Sequence, residues 1–169
     1  MSEAEERISH PISHRELERR WTAVRAAMKD AKLDALVVQG MSNLAGTGGY
    51  FRWFTGISAI GSYPMTVVFP RDGLMTLVSH GARNGDIALD DKDAMLPGIG
   101  RRLTTPMFPA IAYTIPYDAE LAAGEIRRCG YRSVGLVGLN NMYHGFGSNL
   151  ATLLDGIALG DATALIDPI

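Results

Sequence analysis

Asp34 to Gly40 reads DALVVQG, a short apolar run closed by glycine. Consecutive rather than alternating apolar positions fit a strand buried on both faces. Upstream the period changes to that of a helix. Leu17, Trp21, Val24, Met28 and Ala31 form one apolar stripe, with Arg15, Glu16, Arg19, Arg20, Arg25 and Lys29 on the other face. Ser13 and Glu16 are spaced for a capping box, and Ile12 and Leu17 for a hydrophobic staple, so the helix is expected to start at Ser13. Residues 1–12 read as a flexible tail, and residues 13–169 as one domain.

Downstream, Tyr63–Phe69 (YPMTVVF) and Leu74–Ser79 (LMTLVS) are β-rich runs joined by Pro70-Arg71-Asp72-Gly73, where proline sets φ and Asp-Gly makes the turn. They predict an antiparallel hairpin. From Asp86 to Pro116 the signal fades among four prolines, and the stretch reads as a weak strand followed by a long surface loop. Asp118 is placed to cap a helix running to Cys129, and Gly130 to end it in the left-handed conformation. Ser133–Leu139 (SVGLVGL) reads as another buried strand, and a last helix is expected over Ser148–Ala158. Strands and helices alternating around one hairpin predict an α/β fold: three layers, α/β/α, with a mixed sheet.

The chain has 169 residues, enough for one core without a disulfide or metal staple. Sixteen basic and eighteen acidic side chains give a net charge of −2, and no Lys/Arg cluster is long enough to follow a phosphate backbone, so nucleic acid is not an expected partner. Cys129 is the single cysteine, which excludes an internal disulfide and fits a reducing cytoplasm. The longest apolar runs are far too short to span a membrane, and the acidic N-terminus lacks a signal-peptide core. A cytoplasmic protein without membrane contact is expected.

Thr47–Ile57 reads TGGYFRWFTGI and packs four of the thirteen aromatics into five residues. Such a segment buries itself, stacks on a partner or lines a pocket. Elsewhere, His10 and His14 have ligand spacing, but Pro11 and the cap at Ser13 leave His10 outside the helix. His80, with Arg83, Asn84 and Asp86, reads either as a polar ligand contact or as a loop exit. The Gly46–Gly49 and Gly145–Gly147 stretches complete neither G-x-G-x-x-G nor a P-loop. No serine sits in G-x-S-x-G.

Helix, LDALVV strand, aromatic segment and hairpin, in that order, resemble the N-terminal domain of the creatinase, prolidase and aminopeptidase P family, a ribonuclease-H-like fold. Arg52-Trp53-Phe54-Thr55-Gly56-Ile57 looks like that domain's Arg-Tyr-Leu-Thr-Gly-Phe motif, with Trp for Tyr and Ile for Phe as departures. Asn43 stands where an Asn often precedes it. Val67-Val68-Phe69-Pro70 with Asp72-Gly73 matches the hairpin, and Asp161-Ala162-Thr163 resembles the closing segment before the second domain.

The resemblance implies that the chemistry of the parent, a metallopeptidase-type hydrolase, belongs to a C-terminal pita-bread domain absent from this chain. There two divalent metal ions are held by two Asp, one His and two Glu. His144-Gly145-Phe146-Gly147 resembles the surroundings of the family's metal-binding histidine, but Glu125 is the last glutamate in the sequence, so no such ligand set follows. This chain is therefore expected to have no catalytic residue, metal ligand or cofactor of its own. The resemblance further implies a homodimer in which Tyr50, Arg52, Ser62 and Tyr63 contact substrate in the neighbouring subunit's site, while Trp53 and Phe54 are core. Arg52 would suit a substrate carboxylate, since its guanidinium donates two parallel hydrogen bonds; a structural ion pair is the alternative. The competing functional class is a free-standing binding or assembly module with no catalytic partner.

Overall fold

The computed structural model describes residues 12–43, 46–59, 63–91, 93, 95–106 and 111–169. Helix α1 spans His14–Asp30. Ser13 caps it, its Oγ accepting from the Glu16 amide at 3.3 Å, while the Glu16 carboxylate bonds Arg19 and Arg20 instead of turning back to Ser13. Leu17, Trp21, Val24 and Met28 are buried as the stripe requires; Ala31 is exposed at the C-cap, where the helix has already ended.

Strand β1 (Ala35–Gly40) is buried along its whole length. After the two-residue strands β2 (Ser42–Asn43) and β3 (Gly46–Thr47) come helix α2 (Gly49–Thr55) and the predicted hairpin, β4 (Met65–Pro70) with β5 (Met75–His80). Gly73, at φ 98°, supplies the left-handed turn residue between them.

The region read as a weak strand and a long loop contains β6 (Gly85–Ala88) and β7 (Ile99–Thr105), the latter seven residues long and paired on both sides. Arg101 and Arg102 masked β7. Their guanidinium groups are satisfied on opposite faces, Arg101 by Asp86 and Glu125, Arg102 by Ser79 Oγ and the His80 carbonyl.

Helix α3 runs Ile111–Arg128, so Asp118 is not its cap but an interior residue, and Pro116 lies inside the helix. Ile115, Ala119, Ala122, Ala123 and Ile126 bury one continuous stripe against the sheet, and that burial carries the helix through the proline. The end is as expected. Gly130 is at φ 72°, its amide reaches the Arg127 carbonyl at 3.0 Å and the Tyr131 amide reaches that of Ile126 at 3.1 Å, a Schellman arrangement.

Strand β8 covers Ser133–Val137, ending at Gly138 (φ 74°). The last full helix, α4, is His144–Leu153, four residues earlier than the pattern suggested, and Ala158–Asp161 forms an unexpected edge strand, β9. A short helix, α5 (Thr163–Ile166), follows.

Seven of the nine strands among the described residues form one mixed sheet in the order β6-β7-β5-β4-β1-β8-β9, and β2 pairs with β3 apart from it. Its side chains alternate between two cores. Leu36, Val38, Val67, Phe69 and Leu77 pack with α1, α2 and α5, whereas Ala35, Val37, Val68, Val78 and Leu103 pack with α3 and α4. These are the three α/β/α layers.

Candidate functional site

β1 is parallel to β8 and β5 to β7, while β4 runs antiparallel to both β1 and β5. The carboxyl ends of β1, β5, β7 and β8, at Gly40, His80, Thr105 and Val137, therefore share one edge of the sheet. Ligands of open α/β sheets bind outside this edge. Here α2 and Tyr63, just ahead of β4, lie against it.

Helix α2 is seated by close packing. A Cβ on Gly40 would lie 2.5 Å from Phe51 Cβ, so only glycine lets Phe51 settle on the end of β1. Phe51 and Phe54 are fully buried, and Phe54 meets Phe69 edge to face at 5.1 Å. The carbonyls at the end of α2 would otherwise lack partners. Trp21 Nε1 donates to the Phe54 carbonyl at 2.6 Å and Arg20 Nη1 to that of Trp53 at 3.0 Å. Trp53 is only partly buried, with the Arg20 guanidinium 5.0 Å over its ring. Of the two aromatics expected in the core, Phe54 is there and Trp53 lies at its margin.

Tyr50 is engaged within its own chain. Its ring packs over Gly138, and its hydroxyl donates to the Asp167 carboxylate, a bond that, ahead of burial, raises the phenol's pKa. Arg52 is half-buried on the same helix. Tyr63 is half-buried and meets the His80 ring edge to face at 5.1 Å. Ser62 lies outside the described residues. Burial, then the neighbouring Arg102 charge, lowers the His80 pKa, so the imidazole is held neutral. The structure thus brings Tyr63 and His80 together at the edge that α2 also borders. Asp86 leaves the His80 group and pairs with Arg101 at 2.6 and 2.8 Å.

The opposite end of the sheet holds a cluster that sequence reasoning missed. Glu125, 4% exposed, accepts from Thr76 Oγ1 at 2.8 Å and from Arg128 at 2.8 and 2.9 Å, and pairs with Arg101. Burial pushes its carboxyl up, but the bonds from Arg128 and Thr76 and the charges of both arginines outweigh this and hold it at about 2. These residues line a cleft of about 320 Å³. Only the Glu125-x-x-Arg128 helical spacing hinted at it. With each charge matched, the cluster ties α3 to β5, β6 and β7.

His144, in the first turn of α4, has Nε2 3.3 Å from Ser148 Oγ. Among the described residues no three His, Cys, Asp or Glu side chains converge as metal ligands, and no helix is long and apolar enough to cross a membrane.

This architecture is the fold of N-terminal creatinase/prolidase-like domains. Dipeptidase PepE from Mycobacterium ulcerans superposes with a TM-score of 0.61 at 18% identity over 92% of this chain, which spans 37% of that protein. The N-terminal domain of cytoplasmic peptidase PepQ from Mycobacterium tuberculosis H37Rv gives 0.54 at 17% identity, covering 89% of this chain and 97% of that one. The N-terminal creatinase/prolidase-like domain of a metallopeptidase from Corynebacterium diphtheriae gives 0.51 at 15%, with 86% and 94% covered. No protein-family model and no curated protein sequence matches the chain.

Proposed function

We propose that this chain is the non-catalytic N-terminal domain of a metal-dependent hydrolase of the Xaa-Pro peptidase or creatinase type, acting in the cytoplasm. In this reading it forms a homodimer and lends substrate contacts from Arg52 and Tyr63, with Ser62 and Tyr50 beside them, to the neighbouring subunit. The two divalent metal ions belong to the following C-terminal domain. The observation that carries the reading is the end-to-end match to a free-standing N-terminal domain of a cytoplasmic peptidase, 89% of this chain against 97% of that one. The partly exposed Arg52 at the ligand-binding edge of the sheet supports the contact in trans.

The test uses the full-length parent. Arg52→Ala should lower kcat/KM about ten- to a hundredfold, the cost of about 1.5–3 kcal/mol for one charge-assisted bond, with metal content and Tm nearly unchanged. Mixing Arg52→Ala subunits with subunits dead at a metal ligand then gives dimers in which one composite site carries both defects and the other is intact, so activity returns. Mixed dimers that form yet stay inactive overturn the contact in trans. A reading frame that ends without metal-ligand motifs overturns the hydrolase assignment and favours a binding module.

A further inference from the structure

Between α3 and the sheet lie polar groups that no described residue satisfies. Asp118 is 1% exposed, and neither of its carboxyl oxygens has a hydrogen-bond partner. Thr66 is fully buried with Oγ1 unpartnered. Gln39, also buried, accepts from the Tyr143 amide through Oε1 at 2.9 Å and leaves Nε2 without an acceptor. Thr66 and Gln39 are Cα partners across β4 and β1. Each stands two residues from a valine, Val68 or Val37, that packs in one cluster with Ile115, Ala119 and Ala122 around Asp118. All three orphaned groups thus face the same helix-sheet layer.

Two residues before Asp118, Pro116 lacks the amide that would reach the carbonyl one turn back, so the first half of α3 is held by one hydrogen bond fewer. Buried polar groups without partners are rare, and each favours an opened arrangement in which water supplies the missing bond. Opening this half of the helix would hydrate all three at once.

We propose that residues 111–118 are a pH-sensitive latch, docked on the sheet while Asp118 carries a proton and opening once Asp118 ionises. The neighbouring charges do not offset that ionisation. On the elements packed against α3, the titratable or charged groups are His80 on β5, Arg101 and Arg102 on β7 and His144 on α4, and β4 has none. Arg101 is committed to Asp86 and Glu125, Arg102 to Ser79 and the His80 carbonyl, and His144 to Ser148. On α3 itself Tyr117, Glu120 and Arg127 are exposed, and Glu125 is paired with Arg128. Burial alone raises the Asp118 carboxyl, to about 7. An opened helix returns it to its ordinary value of 3.8, so opening becomes about tenfold more favourable per pH unit between these two values and levels off above the higher one.

Amide hydrogen exchange on the 169-residue chain from pH 5 to 8, with the pH dependence of chemical exchange divided out, tests this. Protection of the amides in residues 112–118 is expected to fall about tenfold per unit up to about pH 7 and then level off. Ala122–Arg128 and β1, which exchange through unfolding of the whole domain, share the slope because that unfolding also ionises Asp118, but should stay more protected than residues 112–118 at every pH. Asp118→Asn should remove the pH dependence, and Pro116→Ala should raise protection at every pH without altering the slope. A flat profile in the wild-type chain, protection of residues 112–118 equal to that of β1 at every pH, or an unchanged slope in Asp118→Asn overturns the latch. The wild-type profile decides even if the Asn variant fails to fold.

Discussion

Phe54 and Trp53 are adjacent on α2, yet Phe54 is fully buried against Phe69 while Trp53 rests half-covered under Arg20. Phe54→Ala should therefore cost about 3–5 kcal/mol in urea denaturation, whereas Trp53→Ala should cost about 1–2. Equal losses would contradict the burial difference. Two buried carboxyls contribute opposed pH dependences. Glu125, held at about 2 when folded, stabilises the domain above its ordinary value of 4.5, and that contribution is lost as pH falls through the folded value. Asp118 has the opposite sign: its folded pKa is raised to about 7, so its stabilisation is complete below 3.8 and is lost as pH rises through the folded value. The chain should be most stable near pH 4–5, an order-of-magnitude placement from these opposed windows, and Asp118→Asn should move the maximum toward neutrality. A Tm series across pH for both proteins checks it. Sequence placed Glu125 within a helix and Asp118 at its cap, and showed neither in these surroundings. An Asp shortly after a proline has the signature of a cap, and nothing local distinguishes it from a residue turned into the core.

Elements with a strong local signal were readable in the sequence. Ser13 and the stripe from Leu17 to Met28 define α1, the run through Val38 defines β1, and Pro70-Arg71-Asp72-Gly73 defines the hairpin turn. Elements whose stability comes from distant partners were not. β7 carries Arg101 and Arg102, whose compensation by Asp86, Glu125, Ser79 and His80 is tertiary. β9 is four mostly exposed residues held by pairing with β8. The start of α3 was hidden by Pro116. α2 was legible as an aromatic cluster, but its seat was not, because that depends on the absence of a side chain at Gly40. Gly40→Ala places a Cβ against Phe51 and should cost roughly 1–3 kcal/mol, as overpacking does. The same change at Gly49, where a Cβ meets nothing within 4 Å, carries only the penalty of its positive φ, 51°. Comparing Gly40→Ala with Gly40→Val by thermal melting should show the loss growing with side-chain size; a flat response would mean that Phe51 moves aside freely.

At the scale of the molecule, helix-strand order was enough to read the α/β/α layering, because layers follow from which faces are apolar. The strand order was not legible, and neither was the edge shared by α2, Tyr63 and His80, which exists only once β4 is inserted antiparallel between β1 and β5. If, as proposed, the metal ligands belong to a following domain, this chain alone should not cleave Xaa-Pro dipeptides with added Mn²⁺, Co²⁺ or Zn²⁺. Metal-dependent turnover abolished by His144→Ala would refute that. The position of β1 also governs the order of assembly. One of its neighbours, β4, is close in the chain; the other side is closed only when the segment after α3 arrives, where the Asp34 carboxylate accepts from the amides of Arg132 and Ser133, 98 and 99 residues away. Contacts of such separation form late. As the chain emerges from the ribosome, the flank of its most buried strand therefore stays open until the final third has been made, and a nascent chain halted before β8 offers that flank to any other strand in reach.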